Sequence, residues 1–424
     1  MQAILYGGIL FLLLLFSNNS LAETWTLGSS IERAYQFSPE IKLAENELES
    51  RQSVAANAAF WPNPTIDVRM DNKLGLEDGS GGYDINDVGI TQPIPLNRIK
   101  YKKAAAQANA EIASYELMAK RLQVEVDVAK DFHLLQYAQA EYVLAKERLR
   151  VADEMVQKSV KNKQGIIVRY MTPLEKMRLN ILKEEAVQKE SGAEGEYKEA
   201  LAAFVKRLSL DSAEYESVTA MQEITSLEAL QFYLDKQQSH ANLAAMQQTI
   251  VAARAQVDAA KSQQLDDPSI RLSRTVDYFS QGEDVVYGVT LNVQIPLWNT
   301  KTPEVIKAEY SASRYGIELQ QLNRELIIQV KQSYTHLGHL IGQVRHHSEK
   351  LLTPSTKILE LTNKGFVSGE LGLLTLIDAN NTYFDAQLRY SELSYQAWIE
   401  YAELRLAAGI LLVSLPAADI KRSN

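Results

Sequence analysis

The stretch that decides the fold is VVYGVTLNVQIPLWN, from Val285 to Asn299. Its side chains alternate between apolar and small or polar over eleven positions, which is typical of a β-strand with one apolar face. This length is unusual in a soluble strand and fits a tilted strand that spans a bilayer. The strand is predicted to end at Pro296, and a long helical pattern begins a few residues later. The predicted apolar face consists of Val285, Tyr287, Val289, Leu291, Val293 and Ile295.

A second stretch repeats this design about two hundred residues earlier in the chain. DVGITQPIPLNR, from Asp87 to Arg98, also runs through a proline into a long helical pattern. Pro95 and Pro296 match across the two halves, as do Leu174 and Leu376 in the helices that follow. Self-similarity over this distance predicts that the chain contains two copies of one structural unit.

The composition excludes several classes of protein. The 424 residues include no cysteine, so disulfides, thiolate metal sites and a lipidated cysteine are excluded. A net charge of −9 argues against nucleic-acid binding. After the N-terminus, no run approaches the ~20 apolar residues that a membrane helix needs. Abundant Ala, Gln, Glu and Leu indicate long helices.

The N-terminal residues 1–22 are predicted to be a signal peptide. Ile4 to Phe16 is an apolar core, and Ser20-Leu21-Ala22 is a small-x-small cleavage site. No Lys or Arg precedes Arg33, so the usual basic region is missing, and a signal anchor is the alternative. Cleavage would leave an exported mature protein.

The two predicted repeats share one order of elements: leading helices, a β-hairpin, a long helix and a return helix. The first repeat, 23–210, has its hairpin at about 65–94, its long helix at about 97–164 and its return helix at about 173–207. The second, 211–424, has its hairpin at about 269–295, its long helix at about 302–364, its return helix at about 373–408 and a short tail. Pro354 is a predicted kink. A helix of nearly seventy residues extends on the order of 100 Å, more than a globular core requires.

Two hairpins supply four strands, which are too few to close a barrel. Unpaired strand edges cannot face lipid, because each exposed polar group would cost several kcal/mol there. Even the smallest single-chain barrels use about eight strands, so several chains must share one barrel. Two chains would make a filled eight-stranded barrel, and three would make a twelve-stranded one with a channel. The polar strand positions predicted to line the lumen include Asp67, Arg69, Asp71, Arg271, Asp277 and Asn292.

Aromatic residues mark the ends of the predicted strands, as interface girdles do in membrane barrels. Trp61 and Trp298 lie at one end, and Tyr83 and Tyr278 at the other. Arg274 departs from the pattern by falling on the lipid face, which requires a bulge or an interface position. A soluble periplasmic coiled-coil protein with a small β cap is the alternative, but it does not explain the aromatic ends or the strand lengths.

Three motifs carry a resemblance to a known family: GITQPIPLN, LNVQIPLWN and GELGLLTLIDANNTYFDAQ. With the duplicated layout, they resemble the TolC family of outer-membrane efflux proteins. The resemblance implies an α+β membrane protein: a homotrimer with a 12-stranded barrel in outer-membrane lipid and a long α-helical periplasmic tunnel. It also implies a periplasmic adaptor and an inner-membrane pump of the resistance-nodulation-division type. The turn TPLEKMRLN is similar to the cobalt–zinc–cadmium and copper–silver branch. A type I polypeptide-secretion duct is the alternative.

The same resemblance places a periplasmic gate near the turn before the last helix. Asp378 falls on the aspartate that narrows the tunnel, and three copies would attract cations. Thr375 stands at a second acidic position, and Phe366 and Leu371 stand where the family has polar lock residues. The closed state is therefore expected to depend on apolar packing that includes Leu374. Glu175 would add charge nearby. The alternative is that Asp378 only caps or solvates its helix.

Four of the six histidines, His336, His339, His346 and His347, lie in one segment. Imidazoles at this spacing can bind Zn²⁺ or Cu²⁺. Because no carboxylate completes either pair in the sequence, a solvated helix surface is the preferred interpretation. Motifs for phosphate binding, zinc hydrolysis or nucleophilic catalysis are missing, so neither enzyme activity nor a cofactor is expected.

Overall fold

The computed structural model describes residues 24–71, 85–96, 98–160, 172–210, 215, 217–279, 282–298 and 300–413. The predicted signal peptide, Tyr83, most of the predicted turn between the first long helix and its return helix, and most of the tail lie outside these ranges.

The first half begins with short elements and continues into two long helices. Thr26 caps α1 through a reciprocal capping box with Ser29, and Pro39 opens α2 where a missing N–H costs nothing. Trp61-Pro62-Asn63-Pro64 follows α2 and precedes the sheet. The elements are β1 (Thr24–Trp25), α1 (Leu27–Phe37), α2 (Pro39–Asn57), β2 (Thr65–Asp71), β3 (Ile85–Pro93), α3 (Arg98–Val160) and α4 (Pro173–Arg207).

The second half repeats this order with one interruption in its long helix. Thr353 N–H bonds to the Ser348 carbonyl, an i to i−5 bond that makes residues 348–352 a π-helical turn. The elements are β4 (Ser217–Val218), α5 (Leu230–Gln237), α6 (Ala241–Ser262), β5 (Ser269–Phe279), β6 (Gly282–Asn292), α7 (Thr302–His347), the π-helical turn (Ser348–Leu352), α8 (Thr353–Val367) and α9 (Leu373–Ala408).

A π-helical turn lies immediately before the position of the predicted kink at Pro354. Pro354 has no N–H, and its ring would clash with the carbonyl of Lys350 in a regular helix. Widening the turn immediately before Pro354 removes that clash. The long helix predicted for about 302–364 is therefore two α-helices, α7 and α8, joined by this turn.

The two hairpins join into one antiparallel sheet with the order β2-β3-β5-β6. β6 runs from Gly282 to Asn292, so the prediction that the strand continues to Ile295 was wrong. The pairing ends there because β5, the partner of β6, begins at Ser269, which lies opposite Asn292. In the described residues, β2 pairs only with β3 and β6 only with β5, so the sheet has two free edges. β1 and β4 form a separate parallel pair.

The helices form a wall around α3. One part of α3 packs against α2 and α6, and another part packs against α4 and α9. α7 continues the wall on the far side of α6 and α9. A seam of α3 residues spaced three or seven positions apart is buried: Phe132, Leu135, Ala138, Ala145 and Ala152. Small alanine side chains let neighbouring helices approach closely, as the sequence pattern indicates.

A buried carboxylate joins both ends of the described chain to α3. Glu125 is fully buried, and it accepts a hydrogen bond from Tyr35 Oη at 2.5 Å and one from the backbone N–H of Leu412 at 2.6 Å. Burial raises the pKa of Glu125, more than these two bonds lower it. This contact ties α1 and the segment after α9 to the middle of α3.

Candidate functional site

The register of the sheet collects the predicted lumen residues on one face. Arg271 on β5 bridges two neighbouring strands: it donates to Asp67 Oδ2 at 2.9 Å through Nε and also donates to Asp87. Thr275 Oγ1 donates to Asp87 Oδ1 at 2.7 Å. Arg69 pairs with Asp71 on β2 itself. The result is a network of paired charges across three strands.

Two predicted members of this face lie away from the network. Asp277 pairs opposite Asp284 at the hairpin end, and Asn292 pairs opposite Ser269 at the helix end. Asp87 belongs to the network but was not among the predicted lumen residues. Its position two residues before Gly89, in the alternation of Asp87-Val88-Gly89-Ile90, was the signal that could have identified it.

Gly89 makes room for the Arg271 side chain. A Cβ at Gly89 would lie only 2.5–2.6 Å from the guanidinium of Arg271. The glycine therefore lets this side chain lie flat across the sheet between its two carboxylate partners. A larger residue at position 89 would displace Arg271 from both.

The opposite face of the sheet is apolar and exposed. Arg274 lies on it, opposite Val88 on β3 and Tyr287 on β6. The pairing is continuous on both sides of β5, so the explanation of Arg274 by a bulge was wrong. The exposed fractions of this face are high at Ile66 (70%), Val68 (59%), Ile90 (50%), Leu272 (57%), Tyr287 (78%), Val289 (77%) and Leu291 (64%).

The two predicted tryptophans lie at the helix end of the sheet. Trp61 is 58% exposed and precedes β2, and Trp298 is 93% exposed and follows β6. Tyr278 pairs opposite Glu283 near the other end, but its side chain, like Tyr83, lies outside the described part. A role for these aromatics at a membrane interface stays a prediction.

The turn between α8 and α9 is closed by hydrogen bonds to one carbonyl. The N–H groups of Glu370 and Leu371 lie 2.9 and 3.0 Å from Gly365 O. Gly369 has φ of 81°, and the Leu371 side chain covers Gly365, where a Cβ would lie 2.7 Å from Leu371 Cδ1. Phe366 and Leu371 are half-buried, and Leu374 is 54% exposed. Their predicted packing as a lock stays a prediction.

Asp378 and Thr375 are both exposed on the first two turns of α9. Gly372 occupies the N-cap position, so the alternative in which Asp378 caps this helix was wrong. Asp385, seven residues further on, lies on the same face and pairs with Arg148 of α3 at 3.3 Å. Asp385 was not among the residues predicted from the sequence, although its spacing from Asp378 is two helical turns.

Glu175 has a structural contact at the start of α4. Its carboxylate accepts hydrogen bonds from Thr172 N–H at 2.7 Å and Thr172 Oγ1 at 3.0 Å, which completes a capping box. The carboxylate thus stabilises the positive end of the helix. Its predicted contribution to the charge at the gate stays a prediction.

The four clustered histidines separate into different environments. His336 Nδ1 lies 2.8 Å from Glu400 Oε2 on α9, a contact between two helices that the sequence did not indicate. His347 is buried, with Nε2 2.9 Å from Ala386 O. His339 and His346 are exposed. Within the described ranges, no group of three or more acidic or histidine side chains is placed to hold a metal ion.

None of the described helices combines the length and the apolar composition that crossing a membrane requires.

Comparison with known proteins identifies relatives of part of the sequence and of the fold. Residues 233–410 match the family model described as outer membrane efflux protein. No curated protein sequence matches the chain. The predicted resemblance to outer-membrane efflux proteins is thereby confirmed, and with it the predicted location in the outer membrane.

Solved channel structures share the fold. The MtrE outer membrane channel of Neisseria gonorrhoeae, in its open state, is 17% identical with a TM-score of 0.73, and the match covers 93% of each chain. The CmeC outer membrane channel of Campylobacter jejuni is 15% identical with a TM-score of 0.72, covering 93% of this chain and 88% of that one. CusC is 14% identical with a TM-score of 0.68, covering 91% and 92%. At these identities the likeness establishes the fold.

Proposed function

We propose that this chain, whose residues 233–410 belong to the outer membrane efflux protein family, forms the outer-membrane exit duct of a tripartite efflux system. Substrates would be delivered by an inner-membrane pump through a periplasmic adaptor. The duct would be a passive conduit, with Asp67, Arg271 and Asp87, which pair with one another on the sheet, lining its passage.

The observation that carries the proposal is that the described part of a single chain has two free edges, both in its sheet and in its helical wall. In the sheet, the described ends are β2 and β6. In the helical wall, α2 and α4 each make their substantial contacts with α3, on one side of it. α7 and α8 border the other side. Further copies of the chain can join the two free edges of such a strip and so close it into a ring.

Exposed apolar residues follow these free edges in the helical wall. Leu174, Met177 and Ile181 recur at helical spacing on α4, with exposed fractions of 59%, 62% and 57%. Leu351, Ile358 and Leu361, in the π-helical turn and α8, have exposed fractions of 51%, 49% and 56%. Apolar stripes of this kind are typical of helices that pack against another helix. They support contact between α4 of one copy and α8 of the next.

The two faces of the sheet support its insertion in a bilayer as a closed barrel. The apolar face would meet lipid, and the charged face with Asp67, Arg271 and Asp87 would line the lumen. Four strands per chain make eight in a dimer, whose interior is filled by side chains. Twelve strands in a homotrimer leave a channel, which an exit duct needs. The soluble coiled-coil alternative would leave the apolar face in water.

The substrate class follows from the charges along the proposed passage. Asp378 on the exposed face of α9 would form a negative ring near the gate in a trimer, and this ring would favour cations. Metal cations or small toxic cations are therefore the proposed substrates. A resistance-nodulation-division pump is the proposed inner-membrane partner.

Membrane fractionation combined with heat-modifiable electrophoresis tests the proposal. We expect the protein in the outer-membrane fraction, migrating as a trimer unheated and as a monomer after boiling. A monomer confined to the soluble periplasmic fraction would overturn the proposal. Deletion of the chain should also increase sensitivity to an exported cation, and restoring it should reverse this effect.

A further inference from the structure

The start of α3 carries a group of four cations, here named the α3 cation group. It consists of Arg98, Lys100, Lys102 and Lys103, and the next acidic residue on the helix is Glu111. The whole chain has a net charge of −9. A run of cations without acidic neighbours, in a chain that is acidic as a whole, favours an anionic partner at this place.

Ion pairs hold this group at the helix end of the sheet. Arg98 Nη1 lies 3.2 Å from Asp267 Oδ2, and Arg98 Nη2 lies 3.6 Å from Asp266 Oδ1. These two carboxylates immediately precede Pro268, whose carbonyl accepts a hydrogen bond of 2.8 Å from the Ile94 N–H, and β5 follows. The first turn of α3 therefore begins directly beyond the last paired residues of the sheet.

The three lysines of the group have no carboxylate partner among the described residues. Lys100, Lys102 and Lys103 are exposed and form no ion pair there. Asp266 is also bound by Lys301, whose Nζ lies 2.6 Å from Oδ1. Positive side chains in the first turns of a helix oppose its macrodipole, because the N-terminal end is already positive. The lysines therefore weaken α3 unless an anion from outside the chain balances them.

Lys102 lies on a different side of α3 from the other two lysines. It lines a cavity of about 630 Å³ between α2, α3 and α6, together with Arg51 and Gln256. Lys100 and Lys103 do not line this cavity. On an ideal helix they point about 160° and 100° away from Lys102, and their spacing of three residues places them next to each other.

Lys100 and Lys103 lie on the outer side of the helical wall. On an ideal helix they are about 20° and 40° away from Glu125, which Tyr35 of α1 and the Leu412 backbone cover. In a duct, elements that cover α3 have to lie on its outer side, because the inner side borders the passage. Lys100 and Lys103 therefore face outward.

The level of these two lysines matches the headgroup layer of a bilayer. With a rise of 1.5 Å per residue, Lys100 and Lys103 lie about 3 and 8 Å beyond Arg98 along α3. The headgroup regions add about 10–15 Å to a hydrocarbon core of about 30 Å, which is roughly 5–8 Å on each side. With the sheet in the hydrocarbon core, both ammonium groups therefore lie at the depth of the lipid phosphates.

Exposed aromatic and apolar residues lie at the same end of the sheet. Phe60, Trp61 and Leu96 have exposed fractions of 71%, 58% and 62%. Gln92 Nε2 donates to Pro62 O at 3.0 Å, so the segment with Trp61 is held against the end of β3. Aromatic side chains near lysines are typical of a membrane interface. A soluble anion would need only the lysines, so the combination favours a lipid.

The second structural unit lacks this cation group at the equivalent place. At the offset of 201 between the matched prolines, Lys103 corresponds to Glu304. Lys100 corresponds to Lys301, which is already paired with a carboxylate. The repeated fold therefore does not require unpaired cations at the start of its long helix, and those of α3 need a separate explanation.

We propose that Lys100 and Lys103 bind the phosphate of an anionic phospholipid in the periplasmic leaflet of the outer membrane. The inference rests on the proposed function, because it places the sheet in a bilayer. It adds the class of lipid that the protein binds and the two side chains that select it.

Lipid retention tests the inference, with phosphatidylglycerol as the probe. The purified protein is reconstituted in vesicles that contain equal amounts of phosphatidylglycerol and uncharged phosphatidylcholine, and the extracted trimer is analysed by mass spectrometry. We expect phosphatidylglycerol to be retained at least fivefold more than phosphatidylcholine. Equal retention of the two lipids would overturn the inference.

Charge removal tests which side chains select the lipid. Each lysine near an anionic surface strengthens the attraction roughly fivefold, so Lys100→Gln with Lys103→Gln should bring the retention of the two lipids close to equality. Lys102→Gln is the matched control, because it removes the same charge from the other side of the helix and should keep the preference. Glutamine and lysine have similar helix propensities, so all variants should fold. An undiminished preference in the double variant, or an equal loss in the control, would overturn the inference.

Inorganic phosphate distinguishes a lipid from a soluble anion. Sodium phosphate and sodium chloride at equal ionic strength should reduce the retained phosphatidylglycerol to the same extent, because both only screen the lysines. Displacement by phosphate alone would assign the α3 cation group to a soluble anion and would contradict the proposed lipid.

The outcome for the proposed function is separate. If the wild-type chain is absent from the outer-membrane fraction, the proposed function itself fails. If it forms an outer-membrane trimer that retains both lipids equally, only the lipid inference is wrong.

Discussion

The first long helix, α3, and its counterpart in the second half, α7 with α8, belong to the same repeated unit but differ in their place in the helical wall. α3 runs without interruption from Arg98 to Val160 and is covered by its own chain on both sides. The counterpart is interrupted by the π-helical turn and is covered on one side. A helix in the middle of the wall is packed on both sides by its own chain. A helix at the edge also carries the residues that would contact a neighbouring copy.

The largest effect on this difference between the two helices is expected from a proline in the middle of α3. Ala145 is buried where α3 packs, and Ala145→Pro removes a helical hydrogen bond at a cost of ~3 kcal/mol or more. We expect loss of folded protein in the outer membrane, measured by the yield of heat-modifiable trimer. Ala145→Ser is the control and should retain most of the yield. Normal trimer with the proline variant would contradict the assignment of α3 as the central element.

The buried Glu125 offers a second test of how the chain covers α3. Glu125→Ala leaves Tyr35 Oη and the Leu412 N–H without their partner and creates a cavity, which should lower the free energy of unfolding by roughly 2–4 kcal/mol. Thermal unfolding followed by circular dichroism measures this loss.

Glu125→Gln is the matched variant, with a predicted pH dependence. Burial raises the pKa of Glu125, so the folded state favours the protonated carboxyl and the native protein loses stability as pH rises through that pKa. The glutamine variant lacks this titration. It should therefore gain stability relative to the wild type as pH rises from 4 to 7, and a constant difference over this range would contradict the raised pKa.

The two turns at the far end of the wall differ in how their carboxylates are used. Glu175 caps α4, whereas Asp378 is exposed on α9 with Asp385 on the same face. Asp378→Asn should reduce cation preference in planar-bilayer conductance several-fold, and adding Asp385→Asn should reduce it further. Glu175→Gln should change the cation preference least, because the Glu175 carboxylate caps the start of α4. Equal effects of all three would contradict this distinction.

The smallest expected effect concerns Pro354 in α8. The π-helical turn already accommodates its missing N–H, so Pro354→Ala should change the free energy of unfolding by no more than about 1 kcal/mol. Chemical denaturation of the purified trimer measures this. A large loss would mean that Pro354 stabilises the edge helix rather than being tolerated by it.

The strands and long helices could be predicted because their patterns are local. Alternation in Ile66 to Met70 and in Val285 to Leu291 is a direct consequence of one apolar sheet face. The buried seam of α3 follows from spacings of three and four residues. The end of β6 could not be predicted, because it depends on where β5 begins and not on the residues of β6.

The site was harder to predict because its contacts join distant parts of the chain. The pair of His336 and Glu400, and the bridge from Arg271 to Asp87, unite residues on different elements. No local spacing encodes them. Asp378 was identified through family resemblance, whereas the exposed apolar residues of α4 and α8 became visible only when the packing of one chain left them uncovered.

The π-helical turn also sets the helical phase of everything after it. Buried positions in α3 recur seven residues apart at Ala145 and Ala152, but across the turn His347 is followed by Ser355, eight residues later. The added residue keeps the inner side of α8 in line with that of α7. A helix without it would be rotated by about 100° beyond the turn, which would carry Ile358 and Leu361 away from the free edge. One residue in the middle of a helix thus determines which side chains the far end of the molecule offers to its neighbour.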